Sequence, residues 1–503
     1  LKSVLESSTG IDLCWFFDDL VKTTKKIDYK ICNIKSINDS SNLNIKTYEV
    51  KIKNKGKINA PFEVSALHND SVFSKKWFDG FPGKKSIRVS FGDFDKLLIN
   101  SDNDCPEFNR KNNFIRTKGL FKKIKPLKIH LLPAVDDPLL TQISFTPLIG
   151  FNLNNGFMAG FATYNNPIPQ KKFSYLFLPL YGTSNNDLAG YSRVGLTLLP
   201  ENTHLQLIWI GASYSRYSYS QDPFNLNFNK LAPEILIKFK NTNYRSPIIS
   251  YLRLRNVNVF KDIARYASSN NENTTYKDNS NYYVNELKYS FANNRKINPF
   301  NFNIIAEQSD RFFKTSIETS YRISYDSPRK GLDIRAFWGD FLYLHKPITE
   351  DFRFNMSGKS GYKDYLFDNY YIGRTNTNDL FSQQFCENDG AFKVYTPIGQ
   401  TWKWLFAMNF KTSLPFKFPV KLFADIATFP DKSAIYDSNY PMFFDAGIQL
   451  SIINNIFDIF FPIIMSSEIK NVNKLNKISY LQSIRFTFAL EKFDPFKKLR
   501  DIR

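Results

Sequence analysis

Apolar and polar residues alternate along much of the chain after about residue 142. In the clearest stretch, residues 313–325, one set of alternate positions holds Phe, Thr, Ile and Tyr, and the other holds Lys, Ser, Glu and Arg. Successive side chains of a β-strand point to opposite faces, so this stretch predicts a strand with one apolar and one charged face. The alternation recurs at residues 402–410 and 484–491.

The length of these segments distinguishes a membrane-spanning sheet from the sheet of a water-soluble protein. An antiparallel sheet of a water-soluble protein shows the same alternation, because one of its faces is exposed to water. The segments here are about ten residues long with aromatics near their ends, as in strands that cross a membrane at a tilt. We therefore predict a membrane-spanning antiparallel β-barrel of about 14–16 strands over residues 142–491. Candidate strands centre on Ser144, Phe161, Phe177, Val194, Trp209, Ile237, Leu252, Leu287, Ile304, Ile317, Ile334, Val394, Phe406, Leu422, Ile448, Phe461 and Phe486.

The alternation also assigns side chains to the two faces of the barrel. We expect the charged set to face the lumen: Lys314, Glu318, Arg322, Asp333, Arg335, Lys403, Lys421, Asp425 and Arg485. We expect the apolar set to face lipid: Phe313, Ile317, Tyr321, Trp402, Trp404, Phe406, Ile484, Phe486 and Phe488. Because both signs of charge occur in the first set, a salt-bridged, filled interior is favoured over an open polar channel.

The connections between strands differ in length. Long polar connections are predicted at residues 218–230, 261–281 and about 342–389, and short turns at 241–245 and 292–298. Long loops on one rim and short turns on the other are typical of outer-membrane barrels. Within the third connection, the stretch Tyr370-Tyr371-Ile372-Gly373-Arg374 fits an aromatic girdle followed by a turn, a strand end or an inward-folded loop.

The first part of the chain has a different pattern. Residues 1–25 carry apolar positions at helical spacing, interrupted by Gly10. Residues 26–115 hold five short alternating segments and two Gly-containing turns, which predicts a small immunoglobulin-like β-sandwich. Residues 116–141 read as a basic linker, either a solvated tether or a juxtamembrane strip, and residues 492–503 as a basic tail.

Composition agrees with a barrel and narrows the partners. Aromatic residues make up 16% of the 503 residues, while the mean hydropathy of -0.35 excludes a bundle of membrane helices. The net charge of +20 is spread along the chain, whereas nucleic-acid binders concentrate theirs on one face, so we expect no nucleic-acid partner. The four cysteines, Cys14, Cys32, Cys105 and Cys386, show no metal or redox spacing, and packing roles are expected.

The N-terminal part resembles a family of zinc enzymes. Residues 8–20, STGIDLCWFFDDL, resemble the SGxDLxWFFxxW stretch of zinc-dependent alanyl aminopeptidases, with Leu20 in place of the usual Trp. Residues 106–113, PEFNRKNN, are similar to the PExNRxNN ending of a bacterial branch that carries a C-terminal barrel. The resemblance implies that a β-domain follows a catalytic region and that this region would hold the zinc.

The zinc-binding motif of that family is absent from this sequence. Zinc binding would need HExxH on a helix, yet His68, His130, His204 and His345 lie far apart in the sequence. We therefore predict no catalytic, cofactor or metal site within this chain.

The combined expectation is an all-β protein of the bacterial outer membrane, with both termini in the periplasm and lipid as its main partner. Anchoring, display of a periplasmic or surface protein, or solute passage are the expected roles. Two alternatives stay open. One is the membrane-anchoring C-terminal half of a zinc aminopeptidase whose catalytic domain lies upstream. The other is a soluble all-β binding protein.

Overall fold

The computed structural model describes residues 1–37, 47–165, 171–243, 245–269, 272–325, 330–345, 352–375, 379–415, 418–430, 441–453 and 456–490. The chain forms two compact units. The first contains Leu1–His130 and Val135–Ile143, and the second contains Leu131–Ala134 and Ser144–Arg503. Among the helices that these residues form, none is long and apolar enough to cross a bilayer.

The first unit begins with two helical segments where the sequence predicted an interrupted helix. The α-helix α1, Lys2–Thr9, ends at Gly10, whose left-handed backbone (φ 67°) closes the helix by donating to the carbonyl of Glu6. Glycine adopts this conformation without the steric cost that a Cβ adds. A π-helix follows at Trp15–Val21.

Two sheets then form a β-sandwich around one core. One sheet has the order β1-β2-β5 and the other β4-β3-β6-β7. Alternate residues of both sheets, such as Ile31, Val50, Val64 and Leu97, fill the shared core. The sequence predicted five of these seven strands. The strands are Tyr29–Ile37 (β1), Thr47–Asn54 (β2), Phe62–His68 (β3), Ser71–Phe78 (β4), Lys84–Val89 (β5), Lys96–Ile99 (β6) and Phe114–Arg116 (β7).

The carboxyl group of Glu107, near the end of the sandwich, is hydrogen-bonded to the first strand. Glu107 accepts a hydrogen bond from the backbone N–H of Tyr29 at 3.0 Å and another from the side-chain amide of Asn113. Burial is the main cause that raises the pKa of Glu107, to about 7. The neighbouring thiol of Cys105 is also partly buried, and burial raises its pKa to about 11. None of the four cysteines, all of which lie within the described residues, forms a disulfide.

The second fold element is a closed barrel of 17 strands. Antiparallel residue pairs join each successive strand from β9 to β28, and β8 lies between β28 and β9 in the sheet order. The strands before the interruption are Leu127–Leu131 (β8), Thr141–Asn152 (β9), Gly156–Tyr164 (β10), Phe173–Gly182 (β11), Leu188–Leu198 (β12), Leu205–Ser220 (β13), Leu226–Phe239 (β14), Ile248–Ser269 (β15), Glu272–Asn293 (β16), Phe300–Gln308 (β17), Phe312–Ser324 (β18) and Gly331–Leu344 (β19). Those after it are Leu405–Ser413 (β24), Val420–Thr428 (β25), Met442–Ile453 (β26), Phe457–Met465 (β27) and Arg485–Phe488 (β28).

The barrel confirms the predicted fold class and differs in detail. Its 17 strands exceed the predicted 14–16, because β8 arises inside the segment predicted to be a linker. Every predicted strand centre lies on a barrel strand except Val394, which is buried in the segment between β19 and β24. Two short helices, Ser467–Leu475 (α2) and Tyr480–Ser483 (α3), connect β27 to β28.

One predicted loop is a strand pair. Residues 261–281 were expected to form a long polar loop, but most of them extend β15 and β16, which pair over 22 residue positions. The pairing of β14 with β15 extends only to Phe228 and Lys261, so β15 and β16 continue beyond it as a two-stranded ribbon. Polar residues fit this ribbon because it has no packed face to bury. The connection predicted at 218–230 is also shorter, since β13 ends at Ser220 and β14 begins at Leu226.

The strand directions separate the two rims of the barrel. We call the rim with the β15–β16 ribbon the hairpin end, and the opposite rim the terminal end. Because successive strands from β9 to β28 are antiparallel, β9 begins and β28 finishes at the terminal end. The segment between β19 and β24 starts and finishes at the hairpin end.

The raised pKa of Glu107 predicts a pH-dependent stability of the sandwich. The Glu107 carboxyl keeps its proton up to about pH 7 in the folded state, whereas the ordinary pKa of a glutamate is 4.5. Stability contributed by this group is therefore present at low pH and lost as pH rises from 4.5 to 7. We expect a loss of about 1–3 kcal/mol, since one pKa unit corresponds to about 1.4 kcal/mol.

Urea-dependent pulse proteolysis of the full chain measures this loss through cleavage within residues 47–116. Glu107→Gln, which cannot ionise, should flatten the pH dependence. An equal slope in Glu107→Gln and the unchanged chain would contradict the assignment.

Candidate functional site

The inward face of the barrel wall carries buried charges. Lys230 on β14, Arg255 on β15 and Glu286 on β16 are less than a tenth exposed. Their chain neighbours Leu231, Leu254 and Leu287 point the other way and are 42%, 50% and 45% exposed. Because adjacent side chains of a strand lie on opposite faces, the wall is polar inside and apolar outside. This is the reverse of a water-soluble protein.

A single segment fills the interior. We call residues 352–403 the plug; it is described over 352–375 and 379–403. Two short strand pairs brace it: Phe354–Asn355 (β20) with Gln400–Thr401 (β23), and Lys359–Ser360 (β21) with Phe385–Cys386 (β22). Most of its side chains are buried, and its contacts reach wall strands on all sides of the barrel.

Apolar residues of the plug pack against apolar positions of the wall. Phe352, Tyr365 and Leu366 form one buried cluster with inward residues of β14–β16 and β18, including Val257 and Val284. A second cluster joins the other part of the plug to wall strands and α2. Its members are Phe337, Phe354, Met356, Phe392, Val394, Ile398, Leu405, Ala407, Ala427, Phe429, Phe443 and Ile469. The plug therefore shares a core with the wall.

An ion-pair network holds the middle of the plug. The Asp368 carboxylate accepts two hydrogen bonds from the Arg255 guanidinium, of 2.8 and 2.5 Å, and it also forms an ion pair with the Lys230 ammonium. Arg255 donates to Glu286 as well, at 2.7 Å, and Arg253 joins Glu286 at 2.6 Å. Asp368 is the plug's contribution to a set in which every charge has a partner of opposite sign. Removing one member of such a buried set leaves another charge unpaired.

A second anchor combines a charge with aromatic rings. Lys314 on β18 lies 3.3 Å from the Glu307 carboxylate and donates to the carbonyl of Phe352 at 3.0 Å. Four rings surround its ammonium at 4.6–5.3 Å: those of Phe312, Phe341, Phe354 and Tyr365. The hydroxyl of Tyr365 donates to Glu307. Cation–π contacts of this kind are strongest away from water.

A third anchor lies against β25 and β26. The fully buried Lys393 ammonium of the plug is 3.0 Å from Asp425, and the next N–H, that of Val394, donates to Asp445 at 2.8 Å. Asp425 and Asp445 face each other across the two strands. Asn409 on β24 donates to Asp425 at 2.9 Å. One plug residue and its neighbour thus contact two buried carboxylates of the wall, and each contact reaches one carboxylate of the facing pair.

Arg485 of β28 fixes the plug from the last strand. Its side chain is 1% exposed, it donates to the carbonyls of Ser357 and Phe392, and its guanidinium lies 3.8 Å from the centre of the Phe385 ring. Cation–π stacking and charge-assisted hydrogen bonds suit the planar arginine group. The shortest strand of the barrel is thereby tied to the plug.

The Tyr370–Arg374 stretch folds inward as part of the plug. Arg374 is buried among the rings of Phe228, Phe367 and Tyr371, with its guanidinium 4.9–5.4 Å from their centres. It also donates to Asn369. The carbonyl of Ile372 accepts from the N–H of Leu153 in the β9–β10 turn at 2.7 Å. The girdle interpretation of this stretch is therefore not the one the structure adopts.

Among the cavities that the described residues form between plug and wall, two are lined by charged side chains. One of about 230 Å³ is lined by five cations and five carboxylates: Arg253, Arg255, Lys288, Lys314, Lys359, Glu286, Glu307, Glu318, Asp368 and Asp389. The other, of about 380 Å³, lies nearer the terminal end, beside Asn294, Arg322, Asp333, Glu387 and Lys421. Each of these two cavities has room for water and small ions beside the plug.

The structure places the residues that were predicted to face the lumen. All but one have charged groups that line a cavity or contact the plug: Lys314, Glu318, Arg322, Asp333, Arg335, Lys421, Asp425 and Arg485. Arg322 pairs with Asp333 and Arg335 with Glu318 across neighbouring strands. The exception is Lys403, which is exposed in the connection before β24.

The residues predicted to face lipid divide into three groups. Ile317, Tyr321 and Phe406 are exposed on the outside of the wall, at 41%, 39% and 38%. Phe313 and Phe488 are half-buried on strands, and Phe486 is 9% exposed because it packs against Phe457. The third group lies outside the barrel strands: Trp402, Trp404 and Ile484.

The prediction for Trp402 and Lys403 is corrected because β24 starts later than the alternating pattern does. The strand begins at Leu405, and Trp402 lies in the plug with its ring 5.9 Å from that of Phe341. Ile484 likewise caps the short helix α3 and precedes β28. An alternating run does not mark where a strand starts when the preceding segment is itself apolar and buried.

Sequence reasoning missed the residues that hold the plug. Arg255 and Glu286 lie on predicted strands, and the same alternation would have placed them inside. The sequence gives no sign of which residues contact Asp368, Lys393 or Asp445, because contacts between segments far apart in sequence leave no local pattern. The plug itself has no strand or helix period.

Comparisons with known proteins give general similarities only. No family model matches the sequence, and no curated protein does. The resemblance to zinc aminopeptidases over residues 1–113 therefore has no support from either comparison.

Among solved structures, BamA from Haemophilus ducreyi lacking POTRA domains 1–3 aligns with a TM-score of 0.38 and 10% identity, over 67% of this chain and 72% of that one. CdiB from Acinetobacter baumannii aligns with a TM-score of 0.31 and 10% identity, over 66% of this chain and 60% of that one. The P pilus usher PapC translocation pore aligns at 0.19 and 7%, over 88% and 81%. At such scores the similarity establishes neither a common fold nor a common function.

The Asp368 network predicts a large effect of one substitution. Asp368→Asn leaves Lys230 and Arg255 buried with Glu286 as the remaining acidic group of the network. Breaking a buried pair in this way costs about 3–5 kcal/mol. Urea-dependent folding into lipid vesicles measures the cost, and protease cleavage within residues 379–400 reports release of the plug.

Asp278→Asn is the matched control. It also removes an aspartate from an arginine pair, with Arg265 at 2.5 Å, but on the solvent-exposed ribbon. Exposed pairs contribute about 0–1 kcal/mol. Equal losses in the two variants would show that the plug is not held by this network.

Proposed function

We propose that this chain is a bacterial outer-membrane β-barrel protein whose plugged barrel anchors its β-sandwich at the membrane. The observation that carries the proposal is the reversed polarity of the barrel wall. The outward positions of its strands hold exposed large apolar side chains, including Phe177, Ile210, Leu254, Ile304 and Trp338. On β15, the residues on either side of Leu254 are Arg253 and Arg255, which pair with Glu286 inside the barrel.

The outer surface supports contact with lipid. Removing apolar area from water is worth about 25 cal/mol per Å², so a ring of exposed Phe, Leu and Ile around a closed sheet is unfavourable in water. Hydrocarbon removes that penalty, and a closed sheet leaves no unpaired backbone edge inside it. The sixteen strands β9–β19 and β24–β28 are each antiparallel to the next, and barrels built from an even number of antiparallel strands are typical of the bacterial outer membrane.

The strand connections support an orientation. Outer-membrane barrels have short periplasmic turns and longer extracellular loops. Here the long β15–β16 ribbon lies at the hairpin end, while the terminal end has short connections such as residues 240–247 and 294–299. We therefore assign the hairpin end to the cell exterior and both chain termini to the periplasm.

The filled lumen favours anchoring over passage. Charges of the wall are matched by Asp368, Lys393 and other plug residues, and the same segment shares two apolar clusters with the wall. A channel with an open path would leave these wall charges in water and would need no matched counter-charges. The barrel then serves as the membrane anchor of the chain that carries the β-sandwich.

Passage of a substrate is the second candidate, and one observation favours it. The last strand, β28, pairs with β27 over four residue positions, whereas β15 and β16 pair over 22. A short pairing is a weak part of a closed sheet. Conductance across planar bilayers distinguishes the candidates, since anchoring predicts a closed state that persists and passage predicts openings.

Two further readings have simple tests. If the chain were the membrane-anchoring half of a zinc aminopeptidase, the residues encoded before Leu1 would contain HExxH. If it were a soluble binding protein, it would stay folded and monodisperse without detergent. The exposed apolar wall argues against the second reading.

A pair of neighbouring isoleucines tests the membrane assignment. Ile304 is 44% exposed on the outside of β17, and Ile305 lines the 230 Å³ cavity near Glu286 and Glu318. Arginine on the lipid face near mid-membrane costs about 2–4 kcal/mol. We expect Ile304→Arg to lose that much in folding into vesicles.

Ile305→Arg is the matched control, since it changes the same residue type one position along the strand. Its guanidinium would enter a cavity lined by charged groups of both signs instead of hydrocarbon, so the substitution should cost less. A larger loss for Ile305→Arg than for Ile304→Arg would reverse the assignment of the two faces.

A further inference from the structure

An exposed apolar loop follows the last strand of the β-sandwich. We call residues 118–125, with the sequence KGLFKKIK, the apolar loop. Leu120, Phe121 and Ile124 are 96%, 71% and 56% exposed. The core of the sandwich is complete without these three side chains. The three side chains are therefore not needed for packing within the described part of this unit.

The loop is held in shape by hydrogen bonds that keep these side chains outside. The N–H of Arg116 donates to the carbonyl of Lys122 at 2.8 Å, and the N–H of Ile124 donates to the carbonyl of Phe121 at 3.2 Å. The Lys123 ammonium donates to the carbonyl of Cys32 on β1 at 2.7 Å. Gly119 adopts a left-handed backbone, with φ 95°, at the start of the turn. The apolar tip is thus presented by a defined turn.

The charges around the tip select the kind of surface that covers it. Lys118, Lys122, Lys123 and Lys125 alternate with the three apolar residues, and no acidic residue lies within the loop. Apolar side chains flanked by lysines suit a bilayer interface, where the former enter the acyl boundary and the latter meet anionic headgroups. A protein surface would have to offer an apolar pocket ringed by acids.

The apolar pattern continues towards the barrel. Leu127, Ile129 and Leu131 occupy alternate positions of β8 and are 60%, 67% and 70% exposed. Only Pro126 separates the apolar loop from this strand. A strip of exposed apolar residues therefore runs along the chain into a strand of the closed sheet.

We propose that the apolar loop inserts into the interface of an anionic membrane leaflet. This rests on the proposed membrane location of the barrel and adds a second, separate lipid contact made by the unit that contains the β-sandwich. Leu120, Phe121 and Ile124 enter the headgroup and acyl boundary, and Lys118 and Lys123 contact anionic headgroups.

Photo-crosslinking of the full chain in vesicles tests this. Benzoylphenylalanine replaces one phenylalanine at a time: Phe121 in the loop, Phe177 on the outer wall of β11, and Phe73 on the sheet edge of the sandwich. Phe177 and Phe73 are 43% and 49% exposed, so accessibility is comparable. The vesicles contain phosphatidylcholine with phosphatidylglycerol, and mass spectrometry identifies the adducts.

We expect lipid adducts at positions 121 and 177 and several-fold fewer at 73. Adducts at 121 should be enriched in phosphatidylglycerol, and Lys118→Gln with Lys123→Gln should reduce that enrichment, by up to about fivefold per lysine. The double variant should leave adducts at 177 unchanged. High salt should act like the double variant, because it screens charges near the surface.

The outcomes separate the two proposals. Lipid adducts at 177 without adducts at 121 would overturn the loop's role and leave the barrel's location intact. Absence of lipid adducts at 177 would overturn the membrane location itself. Adducts of 121 with a protein chain, or equal yields with the two lipids, would overturn the assignment of an anionic leaflet.

Discussion

The reversed polarity of the barrel wall is the constraint on which the rest of this structure depends. A closed sheet in hydrocarbon satisfies its backbone internally and turns its apolar side chains outward, which leaves the alternate, polar side chains inside. Charges enclosed there are unfavourable unless each has a partner. Arg255, Lys314 and Asp425 show the consequence, because each is buried in the wall and each is completed by a contact with the plug. The plug and the wall therefore stabilise each other.

That mutual dependence also explains the uneven anchoring of the plug. Its first half is held by the Asp368 network and by Lys314 amid four rings, and its second half by Lys393 and by Arg485. Strand β28, which has few partners in the sheet, carries the arginine that binds the plug at two carbonyls. Tying the shortest strand to the filled interior offsets its limited pairing. The same arrangement makes β28 the place where a loosened plug would first weaken the sheet.

The sequence predicted the wall well because the wall follows a local rule. Period-two alternation located strands such as those at Ile317 and Leu422, and it gave both faces of β18 from Lys314 to Tyr321. The alternation also predicted a barrel strand at Val394, but this apolar stretch is buried in the plug. It mistook the β15–β16 ribbon for a loop, because a two-stranded ribbon in water needs no apolar face. β8 was missed because its lysine and alternating leucines follow a basic segment that resembles a tether.

The charged positions inside the barrel were partly predictable, and their pairing was not. Alternation can say that Glu318 and Arg335 lie on inward faces, and cross-strand neighbours of opposite sign follow once the register is known. The partner of Arg255, however, is more than a hundred residues away in a segment without a period. Such contacts depend on how the plug folds within a finished wall. No pattern within a short window contains that information.

Hydrogen exchange of the full chain in lipid vesicles tests the central claim most directly, because it reports the wall and the plug in one measurement. We predict slow exchange along β9–β19, apart from the β15–β16 ribbon, and along β24–β27. We predict equally slow exchange at the backbone amides of plug residues 354–360 and 384–401. The exposed part of the β15–β16 ribbon near residues 274–277 should exchange quickly by comparison. Fast exchange throughout the plug beside a protected wall would mean an open lumen. Fast exchange along the wall strands would mean that they do not cross the bilayer.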